Sequence, residues 1–321
     1  MSDILPLVSI GLPIFNRPEG LVRSLDCLIN QTYGNFEIII ADNCSPNPEV
    51  EKIAREYESR DSRITYYRHS ENKGWGYNTN FVIEKAKGDY FMRATDDDWW
   101  DISFVEKIMK LMLDDPNASL GFSNYIAVDE NEKKGLNYPE FLPLLKEFSL
   151  SNKTKSIKNY IKQFEGFGKS NLYFSIYKIE YLRSDFVYNT LKNEVLAGDL
   201  QINLFCLLRG NLCIHPDELF KVTFGNEKLY ELAKSENKLI DLLFITIDVK
   251  KIKSINNKWS PYLFSLFSIV RNSSFSSLNK MLLYGTINKK IILFYYDIIC
   301  SSLRTKGIDI FSKLKRNNCL E

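Results

Sequence analysis

Histidine is almost missing from this chain, with two in 321 residues. A histidine-rich metal centre is therefore excluded. The six cysteines, at positions 27, 44, 206, 213, 300 and 319, form no CxxC spacing. They read as mostly buried thiols in a reducing compartment rather than a zinc site or a disulfide framework. Long apolar runs are also lacking. The longest, "IILFYYDIIC" at 291–300, is broken by Asp297 and falls short of the roughly 20 residues that span a bilayer. The start, "MSDILPLVSIGLP", has neither the basic head nor the apolar core of a signal peptide. These features predict a cytoplasmic protein, soluble or peripheral at the inner face of the cell membrane. No GxGxxG follows a strand and no GxxxxGK[ST] exists, which disfavours dinucleotide oxidoreductases and P-loop enzymes. No repeat is found.

What is present is enough apolar residue, 45%, to bury a sizeable core in one large or about two ordinary domains. Net charge is +2 but unevenly spread. Residues 226–321 carry 16 Lys/Arg against 8 Asp/Glu, or +8, leaving 26 against 32, or −6, for residues 1–225. An acidic body with a basic tail suggests two jobs, one of them near an anionic surface. Nucleic-acid binding would need an organised basic stripe with stacking aromatics, which only the tail could offer.

The first 125 residues alternate strand and helix signals. Apolar runs at 7–13, 36–42, 63–69 and 89–95 read as strands, and those covered on both faces are continuous rather than alternating. Between them, 18–31, 48–60 and 77–88 read as helices, and 102–115 follows as a fourth. This order predicts an α/β fold with a mostly parallel sheet sandwiched by helices. Ligands of such sheets bind beyond the carboxyl ends of the strands. "PIFNR", "DNCS" and "TDDD" stand at three of those ends, so Asp42 and the triple aspartate are expected on one crevice. From about 130 to 195 the pattern is irregular, with 171–177 as a strand candidate and 197–210 as a short helix that has Asp199 in its first turn. The predicted division is a catalytic domain at 1–225, with an acceptor region at about 130–225, and a basic, mostly helical subdomain at 226–321.

Three adjacent carboxylates, Asp96, Asp97 and Asp98, repel one another. A divalent cation with oxygen ligands, Mg²⁺ or Mn²⁺, makes such a cluster tolerable and commonly completes its shell with substrate phosphates. The bland alternative is a solvated loop capping the next helix. Position at a strand end, after "GDYF" and before "WW", favours the cation.

The stretches "VSIGLPIFNRPEGLVRSLDCLINQTYGNFEIIIADNCS" and "ENKGWGYNTNFVIEKAKGDYFMRATDDDWWD" resemble the family 2 glycosyltransferases. The likeness is strong over roughly 6–125 and weaker over 170–225. It implies a GT-A-type, Rossmann-like fold and a nucleoside-diphosphate sugar donor, with UDP and dTDP as the usual bases. By that likeness Pro13 and Phe15 line the base, Asp42 hydrogen-bonds it, Asp96 meets ribose and Asp97 holds the metal. Asp98 assists at the metal or orients the loop. Asp199 takes the place of the general base, although Gly198 precedes it where the family often has Glu. The implied reaction is inverting transfer to a hydroxyl of a saccharide acceptor in bacterial surface polysaccharide (O-antigen or capsule type) assembly. The rivals are a non-catalytic sugar-nucleotide-binding or assembly subunit, and a nucleotidyltransferase, whose glycine-rich basic loop "GLPIFNRPEG" does not supply.

Smaller signals keep two readings each. Lys73 reaches a phosphate, with Gly74 and Gly76 letting backbone approach closely, or is an exposed loop lysine. Asn80 belongs to the donor site or to a helix surface. Trp99 and Trp100 wall the acceptor sugar or anchor their loop, one of each being expected. The basic tail either lies on a membrane, where the acceptor would be lipid-linked, or packs as a helical subdomain.

Overall fold

The computed structural model describes residues 5–128, 141–163, 169–223 and 252–305. Two compact units divide the chain, Met1–Gly225 and Asn226–Glu321.

The first unit opens with β1 (Val8–Ile14), α1 (Pro18–Ile29), β2 (Phe36–Asp42), α2 (Pro48–Arg60), β3 (Ile64–Arg68), α3 (Trp75–Lys85) and β4 (Tyr90–Arg93). Every residue of β1 and β2 is buried except Pro13 and Glu37, which are half-buried. A strand covered on both faces requires that composition. Helix α1 turns Leu21, Leu25 and Leu28 inward at helical spacing. Proline in the first turn of α1 and of α2 starts each helix where a backbone N–H has no partner to lose.

β1 pairs in parallel with both β2 and β4, and β2 with β3, giving the order β3-β2-β1-β4. The chain moves outward from β1 to β3 and then jumps back to β4. Right-handed crossovers therefore place α3 on the face opposite α1 and α2. The reversal makes the junction of β1 and β4 a topological switch point, where a crevice opens beyond the strand ends.

The sheet continues through β5 (Trp99–Trp100), α4 (Phe104–Asp114), β6 (Ala118–Val128), β7 (Ile176–Lys178) and β8 (Asn211–Thr223), in the full order β3-β2-β1-β4-β7-β6-β8-β5. β7 runs antiparallel to β4 and β6, β8 is parallel to β6, and the two-residue β5 is antiparallel to β8. Between β6 and β8 lie α5 (Phe141–Phe148), α6 (Lys153–Lys162), a 3-10 turn (Ser170–Phe174), α7 (Ile179–Leu182), α8 (Asp185–Lys192) and α9 (Gly198–Leu207). The irregularity expected for 130–195 is thus replaced, among the described residues, by short amphipathic helices. The strand expected at 171–177 divides into the 3-10 turn and β7.

The second unit contains α10 (Ile252–Arg271) and α11 (Ser277–Thr305), which pack together. Their buried side chains include Tyr262, Leu266, Ile269, Leu283 and Ile287. Among the described residues, no helix is long and apolar enough to cross a membrane.

Candidate functional site

The loop after β1 lies at the switch point, and a chain of hydrogen bonds fixes its shape. Asn16 adopts a left-handed φ of 58°, uncommon outside glycine but most accessible to Asn and Asp. Its backbone N–H donates to Ser45 Oγ at 2.9 Å, and its side-chain oxygen accepts from the Asn47 N–H at 3.2 Å. Ser45 is oriented in turn by Asp42, whose Oδ1 accepts from the Ser45 N–H at 2.8 Å and from its hydroxyl at 2.6 Å. Asp42 Oδ2 takes the Tyr66 hydroxyl at 2.9 Å and the Arg68 guanidinium. Burial, then the bond to Asp42, pushes the Tyr66 hydroxyl well above its ordinary pKa. Asp42 has no exposed surface, and four protein donors occupy its two oxygens. It braces the loop on which Phe15 and Arg17 are mounted.

Across the switch point, the loop after β4 brings Asp96, Asp97 and Asp98 to three different environments. Asp96 is buried; its Oδ2 accepts from the Phe15 N–H at 3.3 Å and its Oδ1 from Arg17 Nη1 at 3.4 Å. Burial pushes its carboxyl up to about 6, with the Arg17 charge opposing. Asp97 Oδ2 meets the same Arg17 Nη1, and about a third of its side chain faces solvent. Asp98 turns the other way. Its Oδ2 takes the Thr95 hydroxyl at 2.5 Å and its Oδ1 the Thr223 N–H at 3.0 Å, and burial raises its carboxyl to about 6. Both oxygens of Asp98 thus bind protein groups, one in its own loop and one in β8.

The backbone of this loop is clamped. Arg23 Nη2 and the Thr223 hydroxyl both donate to the Asp97 carbonyl at 2.5 Å, and the Ser24 hydroxyl donates to the Asp98 carbonyl at 3.2 Å. Gly20, in the first turn of α1, lies so close that a Cβ there would come within 2.0 Å of the Asp96 carbonyl oxygen. Glycine is thus what lets the helix approach the acidic loop.

These residues fit a divalent cation. Two hard oxygens, Asp96 Oδ1 and Asp97 Oδ2, converge on one cationic nitrogen, and a pair of carboxylates suits Mg²⁺ or Mn²⁺ when phosphates complete the shell. Among the described residues no group of three or more His, Cys, Asp or Glu is placed to hold a metal, so substrate or water oxygens would supply the rest.

Phe15 presents an exposed ring beside this cluster, and Pro13 is half-buried below it in β1. Asp199 begins α9 after Ala197, which adopts a left-handed φ of 54°. Burial raises the Asp199 carboxyl, opposed by N–H groups of Leu200 and Asp199 itself and by the charges of Arg93 and Lys169. Arg93, at the end of β4, acts on Asp98 and on Asp199 alike, so the two acidic regions share a cationic neighbour. Its guanidinium lies 5.0 Å from the Tyr173 ring centre and 5.5 Å from that of Phe174. Arg93 is thus a cation sheltered by two rings.

Other expected residues lie elsewhere. Gly76 faces protein rather than a phosphate: its Cβ would meet the Leu191 carbonyl oxygen at 1.9 Å, and its N–H donates to Glu194 at 3.3 Å. The start of α3 is thereby occupied by a carboxylate of this chain. Lys73 is exposed, with its amine 4.8 Å over the Tyr77 ring, and its N–H donates to Asn43. Asn80 donates to the Tyr188 carbonyl at 3.0 Å and ties α3 to α8, outside the cluster. Trp99 is buried beneath the Arg23 guanidinium at 3.8 Å, and Trp100 is buried against Phe220. Both tryptophans pack against protein and anchor the loop in this structure. Arg17, Arg23, Ser45 and Thr223 were missed in sequence. Only Arg17, as the cation nearest the first strand end in "PIFNRPEG", left a signal there.

Comparison with known proteins places this geometry. An uncharacterized glycosyltransferase, MJ1057, of Methanocaldococcus jannaschii is 32% identical over 157 residues, 48% of this chain and 51% of that protein. The putative teichuronic acid biosynthesis glycosyltransferase TuaG of Bacillus subtilis is 29% identical over 125 residues, 39% of this chain and 49% of that protein. The matches thus span about half the length of each relative. Among solved structures, Staphylococcus aureus TarS residues 1–349 in complex with UDP superposes with a TM-score of 0.57 at 13% identity, covering 98% of this chain and 78% of that one. The mannosyltransferase PcManGT of Pyrobaculum calidifontis, in complex with GDP-Man and Mn²⁺, gives 0.50 at 14%, covering 95% and 80%. These two show the fold, of GT-A type. The sequence model of glycosyl transferase family 2 matches residues 9–175, more than half of the chain, and with the fold and the acidic switch-point loop in agreement, this protein belongs to that family.

Proposed function

We propose that this chain transfers a sugar, with inversion, from a nucleoside-diphosphate sugar to a hydroxyl of a saccharide acceptor in bacterial surface polysaccharide assembly. The observation that carries the reading is the convergence of Asp96 and Asp97 on one cation beside the exposed Phe15 ring, at the switch point of the sheet.

In this reading Phe15 and Pro13 flank the base, and Asp96 and Asp97 hold Mg²⁺ or Mn²⁺ against the donor's diphosphate. The cation, when bound, offsets negative charge that grows on the departing diphosphate. Asp199 accepts the proton of the acceptor hydroxyl as its oxygen bonds to the anomeric carbon. The bond from that carbon to the diphosphate oxygen breaks, and the pair of electrons leaves with the nucleoside diphosphate. Attack from the opposite face inverts the anomeric configuration without a covalent enzyme intermediate. Burial raises the Asp199 carboxyl, the direction that makes a carboxylate a stronger base. Support for the donor comes from neighbours solved with UDP and with GDP-Man and Mn²⁺, and for the pathway from the name of TuaG.

The test is release of nucleoside diphosphate from UDP- and dTDP-sugars, with and without Mn²⁺. Asp97→Ala is expected to abolish metal-dependent UDP binding. Asp199→Asn is expected to keep UDP binding and lose about 10²–10⁴-fold in transfer. Unchanged UDP affinity in the first variant refutes the metal assignment, and substantial transfer by the second refutes the base.

The second unit supports contact with a membrane surface on the cytoplasmic side. Leu278, Met281, Leu282, Ile292 and Leu293 of α11 are each more than half exposed, and Gly285 between them has open space around it. Residues 252–296 hold six Lys/Arg and no Asp or Glu. An apolar stripe on a helix with more cations than its single acid, Asp297, suits an anionic lipid interface, where a lipid-linked acceptor would lie. Cosedimentation with phosphatidylglycerol-containing vesicles, lost in a Met281→Asp, Ile292→Asp double variant, is the expected result; equal recovery of both proteins refutes it.

A further inference from the structure

We propose that Arg17 is an exchangeable counter-ion of the acidic loop, holding Asp96 and Asp97 in a converged posture until a divalent cation displaces it. This rests on the metal reading above and adds a competitor that belongs to the chain itself.

The geometry separates Arg17 from every other cation near the loop. One nitrogen, Nη1, faces both Asp96 Oδ1, at 3.4 Å, and Asp97 Oδ2. A divalent ion bridging those two oxygens would have to occupy the same space. Arg17 makes no other side-chain hydrogen bond among the described residues, and 57% of its side chain is exposed. It can therefore swing into water at little cost. Arg23, by contrast, is stacked on Trp99 and bonded to the Asp97 carbonyl, so it holds backbone and does not compete for carboxylate oxygen. Asp98 is satisfied by Thr95 and Thr223 and neither gains nor loses in the exchange.

Charge explains why such a cation is needed. Without it, two adjacent carboxylates, one of them buried, would repel each other on a loop whose backbone Arg23, Ser24 and Thr223 hold in place. With it, the pair keeps a net charge of about −1 and still attracts a doubly charged ion. Arg17 thus acts as a competing counter-ion: it neutralises part of the pair's charge and weakens the cation's hold when no donor is present. The support of its loop, through Asn16, Ser45 and Asp42, keeps the guanidinium in reach for return after product leaves.

The experiment is titration of the full-length protein with Mn²⁺ alone, free Mn²⁺ being read by its paramagnetic resonance signal. Wild type, Arg17→Ala, Arg17→Gln and Asp97→Ala are compared, with thermal melting as a check on folding. Both Arg17 variants are expected to bind Mn²⁺ roughly three- to fivefold tighter than wild type, since each loses a competing exposed ion pair. A merely structural arginine would leave affinity unchanged or weaken it, and either result overturns the proposal. If wild type binds through Asp97 and the Arg17 variants match it, only the exchange falls. If neither wild type nor the Arg17 variants bind Mn²⁺, the exchange falls together with the metal part of the proposed function.

Discussion

Two acidic residues that end or follow parallel strands on the same side of the sheet have opposite fates. Asp42, at the end of β2, has four protein donors on its carboxylate and no exposure. Asp97, after β4, has one arginine and a solvent-facing edge. A saturated carboxylate is part of the scaffold, because no ligand offers it more than the protein already does. A carboxylate held by one exposed cation remains available, because that cation loses little by leaving.

The contrast can be broken most directly at its extremes. Asp42→Ala leaves Ser45, Tyr66 and Arg68 without their shared acceptor and is expected to lose about 3 kcal/mol of stability. Asp97→Ala is expected to stay within about 1 kcal/mol of the parent. Denaturant unfolding of the two variants checks this, and equal losses would erase the distinction. Gly20→Ala should cost about 1–3 kcal/mol by pressing a methyl group on the Asp96 carbonyl. It should weaken Mn²⁺-dependent UDP binding as well, because the displaced backbone carries both ligands.

Asp98 sharpens the comparison through pH. Its carboxyl titrates at about 6 in the folded protein, against about 3.9 in an unfolded chain. A carboxyl raised by folding is disfavoured in its charged form. Wild type therefore loses stability as pH rises from about 4 to 6, and the full penalty holds above 6. Asp98→Asn escapes that penalty while keeping an acceptor for the Thr223 N–H. It should be more stable than wild type by about 1–2 kcal/mol at pH 7 and level with it below pH 4. Thermal melts across that range check the sign, and an unchanged affinity for Mn²⁺ would confirm that Asp98 serves the loop. The smallest expected effect is at Asn80→Ala, about 0.5–1 kcal/mol from the bond to the Tyr188 carbonyl, with UDP binding unaltered.

The parallel half of the sheet was legible because its information is local. The strands β1, β2 and β4 are short apolar runs buried on both faces, β3 at the sheet edge alternates buried and half-buried residues, and helices α1 and α2 repeat their apolar residues at one period. The half beyond α4 was not legible. β7 has three residues and β5 has two, too few for a periodic signal, and they exist because long-range pairing with β6 and β8 stabilises them. The glycines of "ENKGWG" left two readings open for a related reason. Glycine announces a close approach, but it does not say whether a phosphate or the Leu191 carbonyl and Glu194 will arrive.

Sequence by itself determined that three aspartates would lie at a strand end beside a crevice, since alternation of elements and chain chirality leave few other arrangements. It also determined the family, through motifs spread over the first 125 residues. Only the tertiary structure decided which carboxylates stay open. That choice depends on donors brought from far along the chain, Thr223 to Asp98 and Arg17 to Asp96 and Asp97. A hydrogen bond is won by distance in space, and adjacency in sequence cannot rank three neighbours whose side chains point to three different partners.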